Sequence, residues 1–526
     1  MPHVVTQSCC NDATCVSVCP VNCIHPSPDE PAYATAEMLY IDPATCIDCG
    51  ACVDVCPVDA IKADYELTGD FERYTEINAQ YFTDPAHRDY TPRPVDRAPA
   101  PAVDGPLRVA IVGSGPSACY AAEELLAHKG VEVTMVERLL TPWGLVRFGV
   151  APDHQHTKQV TRLFTRTAAR ERFTLHLGVE VGKHVTHEEL LAHHHAVIYA
   201  VGAAGDRKLG VPGEDLPGVH SATEFVAWYN GHPDFRDARF DLSGKRAVVV
   251  GNGNVALDVA RILVTDDLTH TDIADHALEA LAHSGIEEVV VLGRRGSDQA
   301  AYTTPEVLAL GSVVDVAGAT GSGLKSEIVR ELAARPHEGN RRIVLRFLTS
   351  PVEILGDGRV TGVLLGRNEL TESGGARDTG EREVLDCDLV LTSIGYRANP
   401  LPGLPFDEKS ATLPNELGRV VENDGAPVPG VYATGWIKRG PSGVIGTNRQ
   451  CAQETVAALL RDFETGSLPT PSVEDFDGLV RSRQPEAIGF AGWKAIDRRE
   501  RELGQGRPRR KLVDPAEQLA AAGDAR

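Results

Sequence analysis

"VAIVGSGPSA", residues 109–118, decides the fold. A short apolar run turns through Gly113 and Gly115 and enters a helical pattern at Ala118, the spacing of a strand, a tight loop and a helix. Glycines here let the backbone approach a pyrophosphate at the helix N-terminus, where free N–H groups and the helix dipole attract it. The next apolar run, "VEVTMVE" at 131–137, closes on Glu137, where a carboxylate can accept both hydroxyls of a ribose. That combination suits FAD.

The same device recurs in "AVVVGNGNVALD", residues 247–258, with Gly251, Gly253 and Ala256 in the loop positions. No carboxylate closes its following strand. Instead "EVVVLG" at 288–293 runs into Arg294 and Arg295, whose guanidinium forks suit a 2′-phosphate, so the second nucleotide reads as NADP rather than NAD. An exposed arginine pair on a purely structural unit is the plainer reading of the same residues. Between the loops and beyond them the pattern is α/β, with one expected hairpin where "PVEIL" and "RVTGVLL" flank "GDG" at 356–358.

At 526 residues the chain is too long for one core. A formal net charge of −22 and an isoelectric point near 5.3 argue against nucleic acid and acidic membranes as partners. No apolar run reaches the roughly 18 residues of a membrane helix, and no basic start precedes an apolar stretch. The expectation is a soluble, cytoplasmic protein.

Nine of the twelve cysteines lie within the first 56 residues, a clustering that reads as metal binding rather than a disulfide framework. Cys46, Cys49, Cys52 and Cys56, followed by Pro57, have the C-x2-C-x2-C-x3-C-P spacing in which three thiolates hold one iron-sulfur cluster and the fourth crosses to another. An earlier run fits the same spacing as Cys9, Asp12, Cys15, Cys19 and Pro20, with Asp12 standing where a cysteine is expected. The first cluster then has Cys9, Cys15 and the crossing Cys56. It is either 3Fe-4S or a 4Fe-4S centre whose odd iron takes Asp12 or water. The second, on Cys46, Cys49, Cys52 and the crossing Cys19, reads as an ordinary 4Fe-4S. Cys10 and Cys23 are left over. Zinc is the bland alternative, disfavoured by the ligand count and the absence of a histidine partner. Over residues 1 to about 65 the segment resembles the two-cluster, seven-iron bacterial ferredoxins.

The body resembles the adrenodoxin reductase-like family of ferredoxin-NADP reductases over residues 107–515. The stretches that carry this are "TPWGLVRFGVAPDH" (141–154), "GNGNVALDVARILV" (251–264), "TDIADHALEAL" (271–281), "GRR" (293–295) and "GWIKRGPSGVIGTN" (435–448). The resemblance implies an FAD domain into which an NADP domain is inserted. By position it implies that Ser117, Glu137, Leu145, Val181, Trp436, Gly443, Val444 and Ile445 contact FAD. It likewise implies that Arg207, Asn252, Gly253, Asn254, Val255, Arg294, Arg295, Glu306 and Gly443 contact NADP. The whole chain then looks like a bacterial fusion of a ferredoxin with its own reductase. Its expected parts are a small α+β ferredoxin-like domain (1–65), a linker (66–106) with six prolines from residue 85, an FAD-binding part (107–212), an NADP-binding domain (213–400) and a second FAD-binding part with the C-terminal tail (401–526).

A hydride carries two electrons and an iron-sulfur cluster accepts one, so a flavin between NADPH and clusters divides the pair. His154 and Glu306 match family positions near the flavin and nicotinamide and are the candidate catalytic residues, with a merely structural role the alternative for His154. The run His193, His194 and His195 spreads around a helix and is not read as a metal site. The expected function is NADPH:ferredoxin oxidoreductase, with electrons passing to the fused ferredoxin domain or an external ferredoxin and on to further acceptors. The alternative is an NADPH entry module like the small subunit of glutamate synthase. A disulfide reductase lacks its cysteine pair, since Cys119, Cys387 and Cys451 are far apart in sequence. Finally, Lys158, Arg162, Arg166 and Arg170 recur every four residues, a basic helical stripe that is either a solvated face or a docking face for an external ferredoxin or for the acidic ferredoxin domain, which holds nine carboxylates against Lys62 in residues 1–65.

Overall fold

The structure, a computed structural model, describes residues 2–92, 103, 105–336 and 339–523. Strand Leu107–Val112 lies between Val131–Glu137 and Ala196–Tyr199, all parallel. Phe173–Leu177 extends this sheet on one side and Pro427–Ala433 on the other, where Arg419–Val421 and Asn415–Glu416 follow antiparallel to give seven strands. A late segment of the chain thus completes the sheet that carries the first glycine loop. Val109, Ala110 and Ile111 are wholly buried, as strands covered by helices on both faces must be.

The second loop rides on a six-stranded sheet, all parallel, with Arg246–Val250 between Leu389–Thr392 and Glu288–Leu292. Beside it stands a three-stranded antiparallel sheet of Thr349–Gly356, Val360–Leu370 and Ala376–Asp386. The first two strands turn at the "GDG" stretch. The third, "ARDTGEREVLD", is exposed along nearly its whole length and so shows no apolar alternation by which a sequence could reveal it. Among the described residues no helix is long and apolar enough to cross a membrane.

In the N-terminal segment His3–Val5 pairs with Ile61–Ala63 and Ile24–His25 with Tyr40–Ile41, around a short helix Ala51–Val55. The expected linker over residues 66–106 needs correction. Helix Arg73–Tyr81 packs on this segment, and its buried Asn78 accepts from the N–H groups of Val5 (3.1 Å) and Ile41 (3.0 Å) while donating to the Val5 carbonyl (2.9 Å). One side chain therefore stitches both strand pairs to the helix. The fold continues to Tyr90, whose hydroxyl donates to Asp42 at 2.6 Å. Of the proline-rich stretch, residues 93–102 and 104 lie outside the described residues.

This segment sits on the body through polar and apolar contacts. Lys325 pairs with Glu37 at 2.7 Å, Arg335 with Asp70 at 2.8 Å and Arg73 with Glu327 at 2.6 Å. Cys10, Val58 and Ala60 are buried in the same apolar core as Tyr120, Val160 and Phe164. The basic stripe is not that contact. Lys158 is buried, pairs with Asp272 at 2.6 Å, and belongs to a separate helix, Gln155–Lys158, from Arg162 and Arg166 on Thr161–Ala168. Arg162, Arg166 and Arg170 are exposed, and among the described residues no ion pair joins them to the N-terminal segment.

Candidate functional site

Gly113 has φ 98°, and a Cβ there would stand 2.7 Å from the Ala200 carbonyl oxygen, so neither conformation nor space admits a side chain. Gly251 repeats this with φ 111° and 2.2 Å to the Ser393 oxygen. Gly115 and Gly253, by contrast, have nothing within 4 Å of an added Cβ, an open cradle at the N-terminus of each following helix. Helix Pro116–Leu125 begins beyond Gly115 with Ser117 and Ala118 buried. Glu137 stands at its strand end with one carboxylate oxygen accepting from the Ser114 N–H and hydroxyl (3.1 and 2.7 Å) and the other from Leu139 N–H (3.0 Å).

The late motif closes on this loop. Ser117 Oγ donates to Asn448 Oδ1 at 2.7 Å, and Asn448 in turn donates to the carbonyls of Val444 (3.3 Å) and Ile445 (3.0 Å). Gly443 takes φ 80° in the same turn. Trp436 Nε1 donates to Ser442 at 3.1 Å, and Trp436 packs with Val181 against one apolar cluster. Leu145 opens helix Leu145–Phe148 and remains 37% exposed, next to Gly144, whose added Cβ would meet Gly115 Cα at 2.9 Å. Glu137, Gly144 next to Leu145, and the turn of Gly443, Val444 and Ile445 with Asn448 thus come to the loop of Gly113, Gly115 and Ser117, while Val181 lies with Trp436 in the adjoining apolar cluster. They form a backbone cradle with a ribose-sized carboxylate at its edge, which fits FAD.

On the second sheet Arg294 and Arg295 line a cleft of about 580 Å³ with Ser350, Asn368 and Asp378. Among the described residues neither arginine has a carboxylate partner, which leaves both guanidiniums open to an anion and fits a 2′-phosphate. Asn252 lies against Gly293, and Val255 follows on helix Asn254–Val264. Asn254 accepts from Thr303 N–H at 2.8 Å, which ties the loop to the helix Thr304–Leu308 that carries Glu306. Arg207 Nε reaches the Tyr396 carbonyl at 3.5 Å, and the Tyr396 ring lies 5.1 Å from Trp436.

Between the sheets, His154 Nδ1 lies 3.9 Å from Glu306 and 4.0 Å from Asp258. Its Nε2 faces the Arg261 guanidinium at 2.9 Å. A guanidinium only donates, so Nε2 accepts and the neutral ring carries its proton on Nδ1, toward the two carboxyls. Burial lowers the His154 pKa, consistent with a neutral ring. Burial, with Asp258 and Asp153 nearby, pushes the Glu306 carboxyl up to about 8, and its Oε2 has no partner. Three oxygen and nitrogen donors this close could hold a cation, but Arg261, 2.7 Å from Asp258 and 3.1 Å from Asp153, already supplies the positive charge. Asp258 and Arg261 escaped the sequence reading. Their i, i+3 spacing on a helix opening with a glycine loop was the available signal.

In the N-terminal segment Cys19, Cys46, Cys49 and Cys52 line one small cavity. The spare Cys23 joins them, its Sγ 3.5 Å from that of Cys19 and hydrogen-bonded to Cys46 as well. Cys9, Cys15, Cys56 and Asp12 form a second group close enough to perturb one another electrostatically. Burial pushes the Cys9 and Cys52 thiols up to about 12, so they are thiolates only with cationic iron beside them. Both donor sets fit iron-sulfur clusters. Asp12 is buried, accepts from Thr14 N–H at 3.3 Å, and lies 3.5 Å from Arg449 of the body.

The family described as pyridine nucleotide-disulphide oxidoreductase matches residues 107–450, and the 4Fe-4S binding domain matches residues 39–62. A protein of Mycobacterium tuberculosis named probable ferredoxin/ferredoxin–NADP reductase is 52% identical, over 100% of this chain and 96% of that protein. The chain belongs to the ferredoxin/ferredoxin–NADP reductase family. It is an oxidoreductase. NADPH-ferredoxin reductase FprA of Mycobacterium tuberculosis is 49% identical over 79% of this chain and 98% of its own length. The structure of FprA in complex with NADPH has a TM-score of 0.74 at 48% identity, covering 79% of this chain and 99% of that one. Cys119, Cys387 and Cys451, the cysteines of the body, are buried free thiols.

Proposed function

We infer that the chain is an NADPH:ferredoxin oxidoreductase whose iron-sulfur acceptor is built into its own N-terminus. FAD, when bound, supplies the chemistry that accepts a hydride from NADPH and gives electrons up singly. The residues do the rest. Gly113, Gly115 and Ser117 hold a pyrophosphate at a helix N-terminus, Glu137 takes the ribose, and Arg294 and Arg295 select the 2′-phosphate. His154, fixed in one tautomer by Arg261, and Glu306, which keeps its proton at neutral pH, leave no bare negative charge beside the hydride path. The observation that carries the reading is the contact of Gly446 N–H with the Cys10 carbonyl at 2.6 Å. The turn that closes the FAD loop thereby touches the loop of the first cluster site.

The first site then takes a 3Fe-4S cluster or a 4Fe-4S cluster completed by Asp12, and the second an ordinary 4Fe-4S. NADPH added anaerobically to the isolated chain should bleach the flavin and then the clusters. Before reduction, an EPR signal identifies 3Fe-4S, and silence identifies 4Fe-4S at both sites. A chain that cannot pass electrons from NADPH to its clusters or to cytochrome c without a second subunit overturns the reading.

A further inference from the structure

The stretch "TDIADHALEAL" at 271–281 belongs to neither glycine loop, yet it gathers a buried cluster of charged groups. Asp272 faces two lysines: Lys158 Nζ donates to its Oδ1 at 2.6 Å, and Lys511 Nζ stands 3.4 Å from its Oδ2. Both lysines also donate to Asn230 Oδ1, at 3.3 and 3.0 Å, and all four residues are buried. They come from three parts of the chain. Lys158 ends the short helix that follows His154, Asn230 and Asp272 flank the second glycine loop in sequence, and Lys511 lies in the C-terminal tail. The backbone makes the same connection, because Asp272 N–H donates to the Pro152 carbonyl at 3.3 Å and Asn230 Nδ2 to the Val150 carbonyl at 3.2 Å. The tail grips both sides. Glu500, on helix Phe490–Leu503, accepts from both terminal nitrogens of Arg147 (3.0 and 2.6 Å), and Arg507 donates to Asp275 at 2.8 Å and to the Thr271 carbonyl at 3.2 Å.

We propose that Lys158, Asp272 and Lys511 form a clasp that fixes the part of the chain carrying Arg294 and Arg295 against the part carrying the first glycine loop, with Asp272 and Lys511 as positioning residues for hydride transfer. This rests on the function inferred above and adds what sets its geometry. Two lysine head groups buried around one carboxylate lose much of their hydration, so apolar side chains of the same volume would stabilise the fold as well or better. What the cluster supplies instead is direction. Apolar surfaces tolerate sliding, whereas charge-assisted hydrogen bonds fix both distance and angle. The segment so held, residues 150–158, carries Asp153 and His154, and the same Asp153 is gripped by Arg261 at 3.1 Å. Hydride transfer is sensitive to such placement, since a displacement of about 1 Å costs roughly 100-fold in rate. The clasp touches neither Arg294 and Arg295 nor the glycine loops, so its loss acts on the rate of the step and spares the affinity for the nucleotide.

Stopped-flow bleaching of the flavin by NADPH, in the full holoprotein, tests this. In Asp272→Asn, which keeps the shape of the side chain and removes its charge, the limiting rate should fall by about tenfold or more, while the dissociation constant for NADP+ stays within about twofold of wild type. Hydrogen exchange should rise in peptides spanning 150–158 and 271–275 and stay unchanged in 109–118. Should Asp272→Asn fail to fold, Lys511→Met replaces it; this variant keeps the Lys158 to Asp272 pair, and bleaching about threefold slower is expected. A lower Tm with a wild-type limiting rate makes the cluster merely structural and overturns the clasp, and so does a loss of NADP+ affinity at an unchanged limiting rate. If NADPH fails to bleach the flavin of the wild type, the inferred function fails and the clasp with it, whereas a working variant beside a working wild type sinks the clasp alone.

Discussion

Replacing Gly446 by alanine isolates the seam between cluster segment and body. Gly446 has φ −69° and ψ −26°, ordinary helical values, so alanine costs nothing in backbone conformation. Space is the obstacle: the added Cβ would stand 1.9 Å from the Asn11 carbonyl, where ordinary contact begins at 3.4 Å, and the atoms in the way are backbone. The Gly446 N–H to Cys10 bond, at 2.6 Å, must open to relieve it. Overpacking of this kind costs about 1–3 kcal/mol. Because both the docked and undocked states are folded, the entropy that Gly→Ala removes from an unfolded chain does not offset it. The docked population should fall by about fivefold to 150-fold relative to the undocked one. Hydrogen exchange of the peptide 9–15 should rise, and NADPH-driven cluster bleaching in stopped-flow should slow, while flavin bleaching keeps its rate. Wild-type exchange and wild-type cluster bleaching in Gly446→Ala would refute the seam as the point of electrical contact.

Three further outcomes are expected. Asp12→Cys should convert the first site to four thiolates, and iron analysis should find about one more iron per chain if the wild type holds 3Fe-4S. Arg294→Ala should weaken NADPH binding by about 1.5–3 kcal/mol, roughly tenfold to more than a hundredfold, and leave NADH binding nearly unchanged in fluorescence titrations. Glu306 is raised in the fold from its ordinary 4.5 to about 8, so between those values the folded protein keeps a proton that the unfolded chain has lost. Its contribution to stability is therefore present below pH 4.5 and lost as pH rises to 8, and Glu306→Gln should flatten the fall of Tm across that window.

The two glycine loops were legible because their physics is local: a positive φ at Gly113 and Gly251 and a strand buried on both faces leave marks within ten residues. The grouping of Cys19 with Cys46, Cys49 and Cys52 was legible from spacing alone, and these four line one cavity. Helix Arg73–Tyr81 was passed over, though buried Tyr74, Ile77 and Asn78 fall on one face, because the prolines after residue 84 coloured the reading of what precedes them. The basic stripe misled in the opposite sense. Four-residue periodicity places Lys158 with the arginines, but its neutraliser, Asp272, is 114 residues away and invisible to any local pattern. Asn448, Arg449 and Glu37 were missed for the same reason: each acts on a partner more than 260 residues distant.

The close approach of Gly446 and Arg449 to residues 10–14 also bears on how the inner site can be loaded. With the body closed over Asp12 and Cys15, only Cys9 and Cys56 of the inner ligands stay partly accessible, so a scaffold handing over iron and sulfide has a narrower approach there than at the outer site. The N-terminal segment is made first, and its strand pairs are bridged by Asn78 without help from the body. Loading of the inner site is therefore easier before the reductase folds against it, whereas the site around exposed Cys49 stays accessible in the finished protein.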